Sequence, residues 1–180
     1  PLRNKIIKRT VLNTVESLIG PLRGISTHSV LGYVHKAYPP IYSKLAEKSG
    51  FTSSLVIRGV EGGVIPSLRQ KGLIYSYYQG IEKNKVDLEP EAIGIESDLR
   101  AIQVPKNLER RENIGNLAKH VANLGLEALA GNKGMFYDGL LYSASLILWH
   151  LEIEDSILAA SERVRFVLDS AESVNRVKSD

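Results

Sequence analysis

The sequence predicts an α/β fold: a mostly parallel sheet flanked by helices, passing into a helical C-terminal half. Three observations point there. Residues 28–59 read as strand, helix and strand, and a helical crossover makes two such strands parallel. From residue 108 onward, apolar positions recur at helical spacing. Apolar residues make up 43% of the 180, enough to bury a core.

The opening stretch spaces Leu2, Ile6, Ile7, Val11, Val15, Leu18 and Ile19 three and four apart, which predicts an amphipathic helix ending near Gly20-Pro21. It begins at once, without an initiator methionine, so the chain is expected to be cut from a longer one. Residues 28–35, HSVLGYVH, are a short apolar run and predict a buried strand. A helix is expected over 37–48, with Pro39-Pro40 in its first turn and Gly50 closing it. Residues 52–59, TSSLVIRG, predict a second strand, followed by a loop at Glu61-Gly62-Gly63. Ligands bind at that end of strands in open parallel sheets.

Residues 73–79, LIYSYYQ, predict a third strand, rich in aromatic and β-branched side chains. Residues 86–94 read as a loop with a short helical turn. A helix is expected over 108–130, with Gly131 as its stop. Residues 135–151 are almost wholly apolar and predict a buried helix. An amphipathic helix over 154–168 follows, with Asp155 and Ser156 near its start. The expected core includes Val30, Leu31, Val34, Leu55, Val56, Ile57, Leu141, Leu146, Ile147, Leu148 and Trp149. No repeat or linker divides the chain, so residues 1–180 are expected to form a single domain.

Composition excludes several classes. Charged residues at 24% exclude general disorder. The absence of cysteine excludes a disulfide scaffold, a thiolate zinc site and a cysteine nucleophile. It fits a reducing compartment, and the expected location is cytoplasmic. No apolar run approaches the roughly 18 residues that span a membrane, so no membrane partner is expected. The start lacks the apolar core of a signal peptide. The net charge of +3 conceals an asymmetry: residues 1–71 hold 11 Lys+Arg against 3 Asp+Glu, a surplus of +8. Residues 72–180 hold 12 against 17, a deficit of 5. A basic half points to an anionic partner; a solvated helix face is the plainer reading.

Motifs for chemistry are sparse. His28 and His35 are seven apart on one expected strand and face opposite sides, while His120 and His150 are isolated in sequence. No HExxH or His-carboxylate cluster occurs, no G-x-S-x-G elbow, no Walker loop and no G-x-G-x-x-G. Gly59-Val60-Glu61-Gly62-Gly63 is glycine-rich without a lysine anchor, so it reads either as a phosphate cradle or as a tight loop after a strand. The stretch from Arg3 to Arg9 either contacts phosphates or is a solvated helix face. Tyr75, Tyr77 and Tyr78 read as sheet residues rather than a base-stacking platform.

The order of these short motifs resembles the α/β domain of the anthranilate phosphoribosyltransferase family, within the glycosyltransferase family 3 fold. The resemblance runs from about residue 2 to 174. Arg3, Arg9-Thr10 and Asn13 are similar to R-x5-R-T-x2-N. Gly20-Pro21-Leu22 is similar to G-P-L, and Leu31-Gly32-Tyr33-Val34 to a strand beginning L-V-G-V. Arg58-Gly59-Val60-Glu61-Gly62 lies where the family has G-x-D-G-x-D-E. Pro90-Glu91-Ala92-Ile93-Gly94 resembles P-E-D-L-G; Asp138 with Ser143-Ala144 resembles D-x4-N-A-A; Leu168-Asp169-Ser170 matches L-D-S-G.

The resemblance implies transfer of a phosphoribosyl group from phosphoribosyl diphosphate to an aromatic acceptor, anthranilate, as in tryptophan biosynthesis, with Mg²⁺. It implies a substrate-binding role for Arg3, Arg9 and Asn13, with Arg3 on the acceptor's carboxylate. It places the metal loop at Gly59, Glu61, Gly62, Gly63, Val64 and Ile65. Val64 and Ile65 stand where the two magnesium carboxylates belong, and neither has a side-chain oxygen. No metal ligand or catalytic residue is therefore assigned on this chain. The family's diphosphate loop, G-T-G-G-D, and its helical dimerisation domain lie upstream of the matching region, so the chain alone is expected to be inactive. An apolar patch near the first helix and a homodimeric parent are expected. The alternative is a non-catalytic paralogue on the same fold that binds DNA or RNA through the basic half.

Overall fold

The computed structural model describes residues 18–20, 24–103, 105 and 114–178. Arg3, Arg9 and Asn13, the body of the expected first helix, and the start of the helix expected from 108 lie outside the described residues. Among the described residues there are four strands, β1 (His28–Gly32), β2 (Ser53–Ile57), β3 (Gly72–Tyr78) and β4 (Ile81–Leu88). The helices described with them are α1 (Tyr38–Lys48), α2 (Ile114–Leu129), α3 (Met135–His150), α4 (Ile157–Asp169) and α5 (Glu172–Lys178).

The α/β class stands as the sequence predicts it. β1 and β2 pair in parallel through α1, with Val30 opposite Leu55 and Gly32 opposite Ile57. Pro39-Pro40 fill the first turn of α1, where backbone N–H groups have no helical partner anyway. The sheet runs in the order β1-β2-β3-β4 and becomes mixed beyond that pair. β3 joins β2 antiparallel, because no crossover helix lies between them. The parallel expectation thus holds for the βαβ unit.

β4 is a strand that the sequence does not predict: residues 86–94 read as a loop, and 80–85 carry no assignment. Its sequence, IEKNKVDL, is polar and exposed along most of its length, so it carries no alternating apolar signal. The turn that creates it is a two-residue one: Gln79 (φ 48°) and Gly80 (φ 72°) both sit in the left-handed region, and Tyr78 pairs with Ile81 across them. Positive φ at both central residues is the two-residue hairpin geometry that matches strand twist. Charged side chains on this edge strand oppose pairing with another chain. The short turn at Pro90–Ile93 forms as expected and is closed by left-handed Gly94.

The sheet is packed on both faces. Leu55, Ile57 and Ile74 meet Leu141, Tyr142 and Leu146 of α3, while Leu31, Val56 and Tyr77 meet Ala46 of α1 and Phe51. β2 is buried at every position, as a strand covered on both faces must be. Ser156 caps α4 by accepting a hydrogen bond from the Ala159 N–H at 3.1 Å, and Gly131 (φ 88°) ends α2. α5 lies beyond the last helix predicted. Of the expected core, Val34 is the exception: it is 54% exposed, because β1 stops at Gly32 and the chain turns outward. Val30, Ile147, Leu148 and Trp149 are half-buried against the core. No described helix is long and apolar enough to cross a membrane.

Candidate functional site

The loop after β2 folds back over the C-terminal ends of the parallel pair. Gly59 bridges to Pro66, and the Val60 N–H donates to the Ile65 carbonyl at 3.0 Å. Inside this closed loop Gly62 donates to the Gly59 carbonyl at 3.3 Å and Gly63 to the Val60 carbonyl at 2.9 Å. Glu61 (φ 52°) and Gly62 (φ 81°) both take left-handed backbone, which tightens the turn.

Two glycines are required by contact. A Cβ on Gly59 would lie 1.7 Å from the Gly63 carbonyl oxygen, and one on Gly32 would lie 2.2 Å from that of Gly62. The loop therefore rests directly on the last residue of β1. Gly59, Glu61, Gly62, Gly63, Val64 and Ile65 all lie in this one loop.

Two clefts flank the loop and share Val60. One, of about 380 Å³, is lined by Arg58, Ser67, Gln70, Lys71 and Arg100 beside Gly59 and Val60. The other, of about 290 Å³, is apolar, with Val64, Ile65, Leu68, Ala101 and Ile102 in its walls. The Arg58 backbone N–H donates to the Leu73 carbonyl at 3.0 Å, and the Leu68 N–H donates to the Arg100 carbonyl at 3.1 Å. These bonds hold the cationic residues to the sheet end from separate segments.

Electrostatics differ on the two sides of the loop. Lys71 forms a 3.8 Å ion pair with Glu89, both half-exposed, which is worth little. No carboxylate lines the first cleft among the described residues. Burial pushes the nearby Tyr33 phenol up to about 12, Tyr75 adds to the shift, and Arg58 opposes it. Tyr33 thus stays a neutral phenol at any physiological pH. On α3, burial raises the Asp138 carboxyl above its usual range, against the pull of Arg165 and Lys133.

Magnesium does not fit the loop as this sequence builds it. Glu61 contributes one exposed carboxylate. Val64 (43% exposed) and Ile65 (38%) offer hydrocarbon where oxygen ligands would be needed. Among the described residues no group of three or more His, Asp or Glu side chains gathers to hold an ion.

The histidine reading needs correction. His150 is not isolated: its Nε2 lies 2.7 Å from Ser53 Oγ and its Nδ1 2.8 Å from Ser76 Oγ. Ser53 Oγ also lies 2.7 Å from Nδ1 of His28, so the two rings share one hydroxyl. This polar chain sits at the N-terminal ends of β1 and β2, away from the loop. Burial, then His28, push His150 down to about 4, with Glu152 opposing. Sequence spacing gave no sign of it, because strand pairing and α3 bring the groups together.

Sequence reasoning also passed over Ser67, Lys71 and Arg100 as site residues. They gather only once β3 has turned and the segment after the Pro90–Ile93 turn has returned to the loop. Arg58 falls within the segment read as the second strand and was given no site role.

No family model matches the chain. A protein of Aquifex aeolicus (strain VF5), described as uncharacterized, is 26% identical over 150 residues, which are 83% of this chain and 43% of that protein. Among solved structures, the anthranilate phosphoribosyltransferase of Saccharomyces cerevisiae in complex with 4-fluoroanthranilate superposes with a TM-score of 0.70 at 19% identity, over 98% of this chain and 48% of that one. The same enzyme in complex with PRPP and Mg gives the same TM-score, 0.70. The Thermus thermophilus enzyme gives 0.64 at 22% identity, over 98% and 49%. The chain carries the anthranilate phosphoribosyltransferase fold, and it spans about half the length of the proteins it matches.

Proposed function

We propose that this chain is the α/β domain of a phosphoribosyltransferase-like protein, and that its ligand-binding element is the glycine loop from Gly59 to Ile65. The observation that carries the reading is the position of that loop. It closes over the C-terminal ends of two parallel strands, where open α/β sheets bind ligands, in a fold whose solved members include one in complex with PRPP and Mg. On this reading the donor is phosphoribosyl diphosphate, the acceptor is an aromatic acid, and Arg3, Arg9 and Asn13 bind substrate, with Arg3 on the acceptor's carboxylate.

The loop lacks the pair of carboxylates that magnesium chemistry would use, so the 180-residue chain alone should not transfer a phosphoribosyl group. The test is a turnover assay with phosphoribosyl diphosphate, anthranilate and Mg²⁺. The chain alone should match a heat-killed control; turnover above that control overturns the reading of an incomplete site. Arg3→Ala in the longer parent should raise the KM for the aromatic acceptor. An unchanged KM would remove Arg3 from the site.

The +8 surplus in residues 1–71 favours a second reading, a nucleic-acid-binding paralogue without catalysis. Binding to DNA or RNA would then weaken steeply with salt, with log K linear in log[salt]. No binding at roughly 50 mM salt removes that reading.

A further inference from the structure

The glycine loop and the basic cleft beside it describe one exchange of charge. Two positions that would carry carboxylates are hydrocarbon, and the neighbouring cleft presents three cations. A hard divalent ion needs oxygen ligands, and these two positions supply none from their side chains. Guanidinium groups meet phosphate oxygens directly, with two parallel N–H donors each.

The cleft is built for such contact. Among the described residues the Arg58 and Arg100 side chains form no ion pair that would occupy them. Ser67 is buried, and its Oγ accepts from the Gln70 N–H at 3.0 Å and the Arg69 N–H at 3.3 Å. With both acceptor directions engaged, the O–H of this cleft-lining residue remains as a donor. At about 380 Å³ the cleft stands at the small end of ligand sites, the size for a phosphate or diphosphate group rather than a large organic ligand.

We infer that the cleft lined by Arg58, Ser67, Lys71 and Arg100 binds a phosphate-bearing group directly, without magnesium. The inference rests on the proposed function for the location of the site and adds how a phosphate is held there without a metal. The phosphate belongs either to free diphosphate or to a phosphorylated sugar, which present the same oxygens to the same cations.

Isothermal titration calorimetry of the 180-residue chain in EDTA tests it, with inorganic diphosphate in one arm and ribose 5-phosphate in the other. Binding in either arm is expected, unchanged when EDTA is replaced by magnesium, and the stronger arm identifies the source. The Arg58→Gln/Arg100→Gln double variant should weaken it at least about tenfold with an unaltered circular dichroism spectrum. Glu89→Gln should strengthen it by releasing Lys71. Binding that appears only with magnesium, or that survives the double variant unchanged, overturns the inference but leaves the phosphoribosyltransferase-like reading standing. Absence of binding in both arms overturns the inference too. Phosphoribosyl diphosphate, titrated next with magnesium, then reports separately on that reading.

Discussion

Gly32 ends β1 directly beneath the Gly62 carbonyl, so close that a Cβ on Gly32 would lie 2.2 Å from that oxygen. The strand end and the glycine loop are thus one packed unit, and the loop's shape depends on a missing side chain in the sheet. Gly32→Ala must displace backbone, because the atoms it meets belong to no flexible side chain. The expected cost is about 1–3 kcal/mol. Urea unfolding measures it; an unchanged midpoint would show that the loop does not rest on β1. Gly59→Ala meets the Gly63 carbonyl at 1.7 Å and should cost at least as much.

His150 gives the fold an acid-sensitive joint between α3 and the sheet. Its folded value is lowered to about 4 from an ordinary 6.5, because burial and then His28 disfavour the charged ring. A folded value below the unfolded one means the unfolded chain takes up the proton first. The stabilisation is therefore complete above pH 6.5 and is lost as the pH falls toward about 4, amounting to about 3 kcal/mol at most. Urea midpoints between about pH 7.5 and 4.5 should fall more steeply in the native chain than in His150→Gln. Equal slopes would show that the ring does not titrate as its burial dictates.

Lys133, Tyr137 and Asp169 tie the start of α3 to the end of α4. The Tyr137 hydroxyl donates to Asp169 Oδ1 at 2.7 Å, and Lys133 donates to both. These contacts hold the Asp169 carboxyl below its usual range. Lys133 and Asp169 are half-exposed, so solvent screens their charges. Asp169→Ala should then cost about 1 kcal/mol, mainly through the buried Tyr137 hydroxyl losing an acceptor. A thermal melt indistinguishable from the native chain would contradict this.

Val64→Asp with Ile65→Glu restores oxygen ligands beside Glu61. Both positions are partly exposed (43% and 38%), so the fold should tolerate the change to within about 1 kcal/mol. Calorimetry should then show magnesium binding in the variant and none in the native chain. Its absence in the variant would show that the loop backbone cannot present three carboxylates to one ion.

The βαβ unit was readable because each part carries its own local signal: the apolar runs of β1 and β2, the prolines opening α1 and the glycine closing it. α3 was readable from its continuous apolar sequence. β4 was not, because an exposed edge strand needs no apolar alternation and takes its conformation from pairing with β3. The glycine loop was legible as a loop. The cations beside it were not, because Arg58, Lys71 and Arg100 reach one cleft only through the fold. The same holds for Ser53 between His28 and His150, three residues that no spacing rule relates.

A ¹H–¹⁵N titration of the chain with inorganic diphosphate in EDTA tests the central claim most directly. The account predicts shifts concentrated at the amides of Gly59, Val60, Ser67, Lys71 and Arg100, with those of Ser53 and Ser76 unmoved. Shifts confined to other surfaces, or none until magnesium is added, would contradict it.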